Sequence, residues 1–229
     1  MNKIDKIYYI NLDRRPDRNE HFLKQCSQHK LPIEKIQRYQ AIDGETYTFS
    51  HEELDLFKNA DYRSQNHYTK VMGNQLSHFY ILLDMVKNNY NNVIIFQDDV
   101  ILKSNFISYL NNLMDNVPKN AELINIAFHR FASYSTSQPY NLNDVNNIVE
   151  KKINTEIGFL AKTTNPCSLG YIVTNIGAKK MIEYFYRVGF LRATDWNYNV
   201  YLIAKNIFYG SNIVLATGNP RLGSDIFTK

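Results

Sequence analysis

The sequence predicts an α/β fold built on a mostly parallel central sheet with helices on its faces, and two observations carry that prediction. Short runs of β-branched and aromatic residues alternate along the chain with longer stretches whose apolar positions recur at helical spacing, an order that favours parallel strands joined by helical crossovers. Within that order Val93 to Phe96 (VIIF) is apolar on both faces, as a strand must be when helices cover it from two sides. The 229 residues suffice for one sizeable core. With 9 Gly, 6 Pro, 44% hydrophobic and 14% aromatic residues, collagen-like repeats, low-complexity linkers and wholesale disorder are excluded. Residues 1–229 therefore read as one domain.

The first predicted strand is Lys6 to Leu12 (KIYYINL), followed at once by the basic loop DRRPDR and a helix. Pro16 suits the first helical turn, where its missing N–H is no loss, and Phe22, Leu23 and Cys26 supply an apolar stripe. A second strand is expected over Ile36–Ala41, ending at the Asp43-Gly44 turn signal. Ser50 with Glu53 three residues on has the form of a capping box and starts a short helix through Phe57, and the polar stretch Asn59–Thr69 reads as a loop. Leu76, Phe79, Leu82, Leu83 and Val86 predict a helix over Asn74–Tyr90 ahead of VIIF. Further on we expect a helix over Asn105–Asn116, a strand over Glu122–Ala127 and a poorly ordered polar stretch over Ser133–Asn147. The last third reads as a strand over Ser168–Thr174, a helix capped by Asn175 and running to Tyr186, a helix capped by Thr194 over Asp195–Ala204, and a final strand region over Ile207–Leu215.

Charge and cysteine content narrow the function classes. The 26 Lys/Arg against 22 Asp/Glu give a pI near 8.8, but the basic residues are spread along the chain with no run that would track a phosphate backbone, so nucleic acid is not an expected partner. Cys26 and Cys167 show neither a CxxC nor a Cys/His spacing and read as buried thiols. No segment approaches the roughly 18 apolar residues of a membrane span, no signal peptide is visible, and none of the 28 Asn begins a glycosylation sequon. The expected location is cytoplasmic.

Three clusters carry chemistry. In FQDDV, Asp98 and Asp99 stand at the carboxyl end of the buried strand, where open α/β sheets bind ligands, and vicinal acids there invite a hard divalent cation; the same residues could also simply open a loop. In an extended chain Gln97 and Asp99 share one face, so Asp98 would join a metal only if the backbone turns. Arg14, Arg15 and Arg18, beside a helix N-terminus, suit a diphosphate, although arginines at a helix start also serve as a solvated face. Ser77 and His78 follow Gly73 on the long helix, where a lone His is often a satisfied core residue.

The blocks YINLDRRPDR, AIDG, GNQLSH, VIIFQDDV, GYIVTNIGAKKMIE, a Thr-Asp pair before a helix, and GSDI follow one another from Ile7 to Ile226. In this order they resemble glycosyltransferase family 25, which includes lipooligosaccharide glycosyltransferases and collagen hydroxylysine galactosyltransferases. The resemblance implies a GT-A-type fold, with a nucleotide-sugar half over about residues 1–130 and an acceptor half over about 131–229. It implies inverting, metal-assisted transfer of galactose or glucose from a UDP-sugar to a hydroxyl of a glycan or a collagen-like protein, with Mn²⁺ the expected cation and Mg²⁺ the alternative.

Carried over by position, the resemblance puts Asn11, Leu12, Arg14 and Arg18 in the nucleotide pocket with Asp43 and Gly44 nearby. Ser77, His78 and Ser224 join the substrate side, Asp98 and Asp99 hold the metal, and Asp195 is the expected base with Asp225 the runner-up. The family's acidic triplet usually opens with Glu. Here it opens with Gln97, one negative charge fewer for a cation, which motivates the alternative of a weak or inactive nucleotide-sugar-binding protein.

Overall fold

In the computed structural model, residues 1–61, 67–128, 149–160 and 168–226 are described. The expected polar stretch Ser133–Asn147, the thiol of Cys167 and the middle of the expected loop at 59–69 lie outside these residues. The elements are β1 (Lys6–Asn11), α1 (Pro16–Gln28), β2 (Ile36–Gln40), α2 (His51–Leu56), α3 (Tyr68–Lys87), β3 (Asn92–Gln97), β4 (Val100–Leu102), α4 (Phe106–Asp115), β5 (Leu123–Asn125) and β6 (Ala127–Phe128). They continue with β7 (Val149–Lys152), β8 (Ile157–Leu160), β9 (Gly170–Thr174), α5 (Asn175–Val188), α6 (Thr194–Ala204), β10 (Tyr209–Ser211) and β11 (Ala216–Gly218), and a 3-10 turn follows at Pro220–Leu222.

Eight strands form the main sheet in the order β2-β1-β3-β9-β5-β10-β8-β7. β1 runs parallel to β2 and β3, β5 parallel to β10, and only β9 and β8 are reversed, so six of the eight strands point the same way. β9 comes from the second half of the chain yet lies between β3 and β5 from the first, so a division near residue 130 does not split the sheet. Alternation of side chains along β1 assigns the two helical layers. Tyr9 stacks on Phe22 of α1 with centroids 4.2 Å apart, whereas Tyr8 reaches Asp84 of α3 through its hydroxyl. Phe96 of β3 lies on the Tyr9 side, 6.0 Å from Phe22 and 6.0 Å from Phe106 of α4. On the other face Phe79 of α3 meets Phe185 of α5, and Tyr171 of β9 meets Tyr198 of α6. VIIF is fully buried between these layers, as its composition requires.

Local signals explain most element boundaries. Pro16 opens α1, and Arg18, Phe22 and Cys26 form its buried stripe at i, i+4, i+8. Ser50 and Glu53 form the full capping box. Other expectations are corrected. α3 starts at Tyr68, six residues before Asn74, because it packs against the Gly44 turn: a Cβ on Gly44 would lie 1.9 Å from the Thr69 carbonyl, so only Gly allows this approach. The cap of α5 is Thr174, whose Oγ1 accepts from the Gly177 N–H at 3.1 Å, while Asn175 donates to the Tyr90 carbonyl. α6 starts at Thr194 without a side-chain cap, and the Thr194 hydroxyl instead accepts from Asn74 at 2.9 Å. The expected strand at Glu122–Ala127 breaks at Ile126 into β5 and β6, and the expected Ile207–Leu215 region holds only β10, with β11 beyond it. β4, β11 and β6 form a second, three-stranded sheet.

Phe22 carries contacts from both central strands, so Phe22→Ala should cost about 3–5 kcal/mol by cavity formation. Urea denaturation checks this; a loss below about 1 kcal/mol would mean that α1 does not depend on this packing.

Candidate functional site

β1, β2 and β3 end at the same edge of the sheet, and the chemistry collects there. The strand does not continue through the acids as an extended chain would. It stops at Gln97, and a turn at Asp98-Asp99 leads into β4, so the backbone turns as the participation of Asp98 requires. Asp98 is 4% exposed and Asp99 8%. Asp98 accepts from the Asn11 amide at 2.7 Å and from Arg18 at 3.1 Å, and the same guanidinium stands 3.8 Å from Asp99. Register explains the first contact: Ile10 pairs with Gln97, the last residue of β3, so Asn11 and Asp98 follow side by side where the two strands end.

Burial pushes the Asp98 carboxyl up to about 6, against the opposing pull of Arg18 and Asn11 and with a smaller push from Asp99. Gln97 donates its amide N–H to Ser168 Oγ at 2.9 Å, which leaves its carbonyl oxygen as the group it could offer a cation. Among the described residues no three His, Cys, Asp or Glu side chains converge as a complete cation cage. The donor set at Asp98 and Asp99, two hard carboxylates on one turn, nevertheless fits a cation that completes its shell with substrate phosphate and water.

Arg18 joins these acids to a second cluster, in which the neighbouring arginines gather on Asp225. Arg14 bonds Asp43 at 2.6 Å and Asp225 at 2.7 Å, and Arg15 bonds Asp17 at 2.7 Å and Asp225 at 2.5 Å. Arg18 lies 3.4 Å from Asp225 and donates to the Gly223 carbonyl. Asp43 thus stands beside the loop after β1, with Gly44 next to it in sequence, while Leu12 is half-buried and its carbonyl accepts from the Arg15 N–H. Ser77 is fully buried. It accepts from the Ile42 N–H at 2.9 Å and donates to the Gly73 carbonyl at 2.7 Å, so its contact with the site runs through the Ile42–Gly44 backbone. His78 is fully buried against Tyr171, with Nδ1 2.6 Å from its hydroxyl, and desolvation lowers the imidazole to about 3, so it stays neutral inside the core. Asp195 is half-exposed in the first turn of α6 and accepts from the Trp196 N–H at 3.0 Å. Ser224 is exposed in the C-terminal segment.

Two further residues belong to this edge. Arg15 joins the Asp225 cluster, and the DRRPDR run signals it as strongly as Arg14. Arg38 of β2 donates to Asn11 Oδ1 at 2.8 Å and to Asp13 at 2.6 Å; no linear pattern points to it, because the contact arises from the parallel pairing of β2 with β1.

With this geometry in view, comparison with known proteins gives the family. The sequence profile of glycosyltransferase family 25 (LPS biosynthesis protein) matches residues 4–196. The chain belongs to glycosyltransferase family 25. It is similar to procollagen galactosyltransferase 2 of Homo sapiens, with 25% identity over 186 residues, which are 78% of this chain and 27% of that protein. The Mus musculus protein named inactive glycosyltransferase 25 family member 3 is 32% identical over 118 residues, 49% of this chain and 19% of that protein. The chain spans 27% or less of the length of these curated relatives. Among solved structures, the apo form of mouse xyloside xylosyltransferase 1 aligns at 9% identity with a TM-score of 0.43, covering 89% of this chain and 83% of that one. No helix among the described residues is long and apolar enough to cross a membrane.

The raised Asp98 carboxyl makes a signed prediction for metal-free protein. Below about pH 4 both states hold the proton; between about pH 4 and 6 the folded state keeps a proton the unfolded state has lost, so stability falls as pH rises. Asp98→Asn should therefore gain about 1–3 kcal/mol at pH 7.5, a gain that shrinks as pH falls from 6 towards 4. Urea titrations of both proteins at several pH values decide it, and equal stability at pH 7.5 would mean that Arg18 and Asn11 fully offset the burial.

Proposed function

We propose that the chain is a UDP-sugar-dependent hexosyltransferase that moves galactose or glucose, with inversion, to a hydroxyl of a glycan or of a collagen-like protein. The observation that carries this reading is the gathering of Arg14, Arg15 and Arg18 on Asp225, with Arg18 also meeting Asp98 and Asp99, at the edge where β1 and β3 end. That edge is where open α/β sheets take nucleotides, and guanidinium forks suit a diphosphate. Family membership supports sugar transfer, and the names of the relatives support a galactose donor and a collagen-type acceptor.

In this reading Arg14 and Arg18 bind the donor diphosphate, and Asn11, Leu12, Asp43 and Gly44 shape the nucleotide pocket. Ser77 holds the Ile42–Gly44 backbone in place, and His78 supports α3 from the core. Asp98 and Asp99 would hold Mn²⁺ or Mg²⁺, assisted by the Gln97 carbonyl oxygen; bound there, the cation supplies neutralisation of the leaving diphosphate. Asp195 takes the proton of the acceptor hydroxyl as that hydroxyl attacks.

A screen of UDP-sugars, read by UDP release through slow hydrolysis with and without Mn²⁺, tests the reading without an acceptor. Asp99→Ala should abolish release while the thermal transition persists, and Asp98→Ala should also be severe. Near wild-type rates in both variants would remove the metal assignment. Donor affinity offers a second test. Arg14→Ala and Arg18→Ala should each lose about 1.5–3 kcal/mol, roughly ten- to a hundredfold in UDP affinity. Calorimetry showing no loss in either would place the nucleotide elsewhere.

Gln97 and the relative whose name marks it inactive favour a second reading, nucleotide-sugar binding without turnover. Saturable UDP-sugar binding with no release for any donor would select it. Gln97→Glu should then strengthen Mn²⁺ binding, since it restores a carboxylate next to Asp98 and Asp99; an unchanged metal titration would show that this side chain does not meet the cation.

A further inference from the structure

The C-terminal segment lies across the arginines assigned above to the donor. Asn219 donates its N–H to the Asp99 carbonyl at 2.7 Å, which ties the start of the segment to the acidic turn. Arg15 donates to the Leu222 carbonyl at 2.9 Å and Arg18 to the Gly223 carbonyl. Gly223 has φ +70°, a backbone that side-chain-bearing residues rarely adopt, and two residues beyond it Asp225 meets the arginines. One Asp225 oxygen then bonds Arg14 at 2.7 Å, and the other meets Arg15 at 2.5 Å and Arg18 at 3.4 Å. Three guanidinium groups from one loop and one helix turn converge on a single carboxylate. This is the arrangement an incoming anion would need, with the anion supplied by the protein. Asp225 also lies beyond residues 4–196, the span matched by the family profile, so its role here is read from contacts alone.

We infer that Asp225 is an internal stand-in for the donor diphosphate: it occupies the Arg14/Arg15/Arg18 subsite in the donor-free protein and must leave before a diphosphate can bind. The inference rests on the reading of these arginines as the diphosphate site. It makes Asp225 a positioning residue that competes with the ligand. A proton-accepting role would require these same arginines to let go, because both of its oxygens are engaged.

The consequence runs against the usual effect of removing a residue from a binding site. When a fraction of the protein is closed by its own carboxylate, the apparent affinity for the anion is reduced by that fraction. Asp225→Asn is nearly isosteric but carries no charge to hold three arginines, so it should bind an external anion more tightly than wild type.

The test is calorimetric titration of wild type, Asp225→Asn and Arg15→Ala with inorganic pyrophosphate and, separately, with UDP. Pyrophosphate should bind Asp225→Asn at least about fivefold more tightly than wild type, the factor expected when the subsite is self-occupied about four-fifths of the time. Arg15→Ala should bind it at least about tenfold more weakly, since one charge-assisted contact is gone. Equal or weaker pyrophosphate binding by Asp225→Asn, or binding by none of the three proteins, would overturn the inference. Tightened pyrophosphate binding without any UDP binding would uphold the self-occupied anion subsite and instead refute the nucleotide-sugar reading.

Discussion

Asp98 accepts from Asn11 at the end of β1 and from Arg18 in the first turns of α1, so one buried carboxylate joins the central strand, its parallel neighbour and the crossover helix. Removing a carboxylate from water is costly, and a single ion pair seldom offsets that cost; the raised Asp98 carboxyl is the measurable residue of the imbalance. Much of this edge is arranged around it. Arg18, brought in to face Asp98, also reaches Asp99, Asp225 and the Gly223 carbonyl, and this draws the C-terminal segment onto the acidic turn. In the proposed reading a divalent cation would bring the second source of positive charge that this under-compensated carboxylate lacks.

Sequence reading reached the frame of this edge but not its wiring. The apolar VIIF strand, Pro16 at the start of α1, the Ser50/Glu53 box and the acids after β3 are visible because each is a local rule: periodicity, a missing N–H, a reciprocal cap. The turn at Asp98-Asp99 is not local. It depends on β4 leaving the main sheet to pair with β11, more than a hundred residues away. The early start of α3 has the same origin, since Tyr68–Gly73 are held in the helix by the Gly44 turn packed against them. Ser77 and His78 illustrate a second limit. Both stand in a motif that reads as chemical, yet the helix face that carries them turns into the core, where one fixes a loop and the other fills space beside Tyr171. A pattern of residue types gives the identity of a polar group, and only the packing decides whether it sees solvent.

The basic character of the chain also changes meaning in three dimensions. A pI near 8.8 is compatible with a polyanion binder, but the arginines that make the opening loop conspicuous are paired with Asp17, Asp43, Asp98 and Asp225. Such a compact knot of alternating charge presents little net field at a distance. It favours a ligand small enough to replace one carboxylate inside it over a long strand tracked from outside.

The same geometry separates the two acids proposed as base. Inverting displacement needs the acceptor and its base on the side of the anomeric carbon opposite the leaving diphosphate. Asp225 stands among the arginines, which in the proposed reading is the leaving-group side, and its oxygens are bonded to the groups that would hold the phosphates. Asp195 belongs to the other helical layer: α6 is tied through Thr194 to Asn74 of α3, and α3 in turn abuts the Ile42–Gly44 turn at the edge of the pocket. Asp195 thus starts a helix packed in the α3 layer, whereas the arginines open the helix of the α1 layer. In the proposed reading, with the arginines taken as the leaving-group clamp, in-line attack would leave Asp225 to the arginines and the proton to an acid of the other layer, for which Asp195 is the candidate.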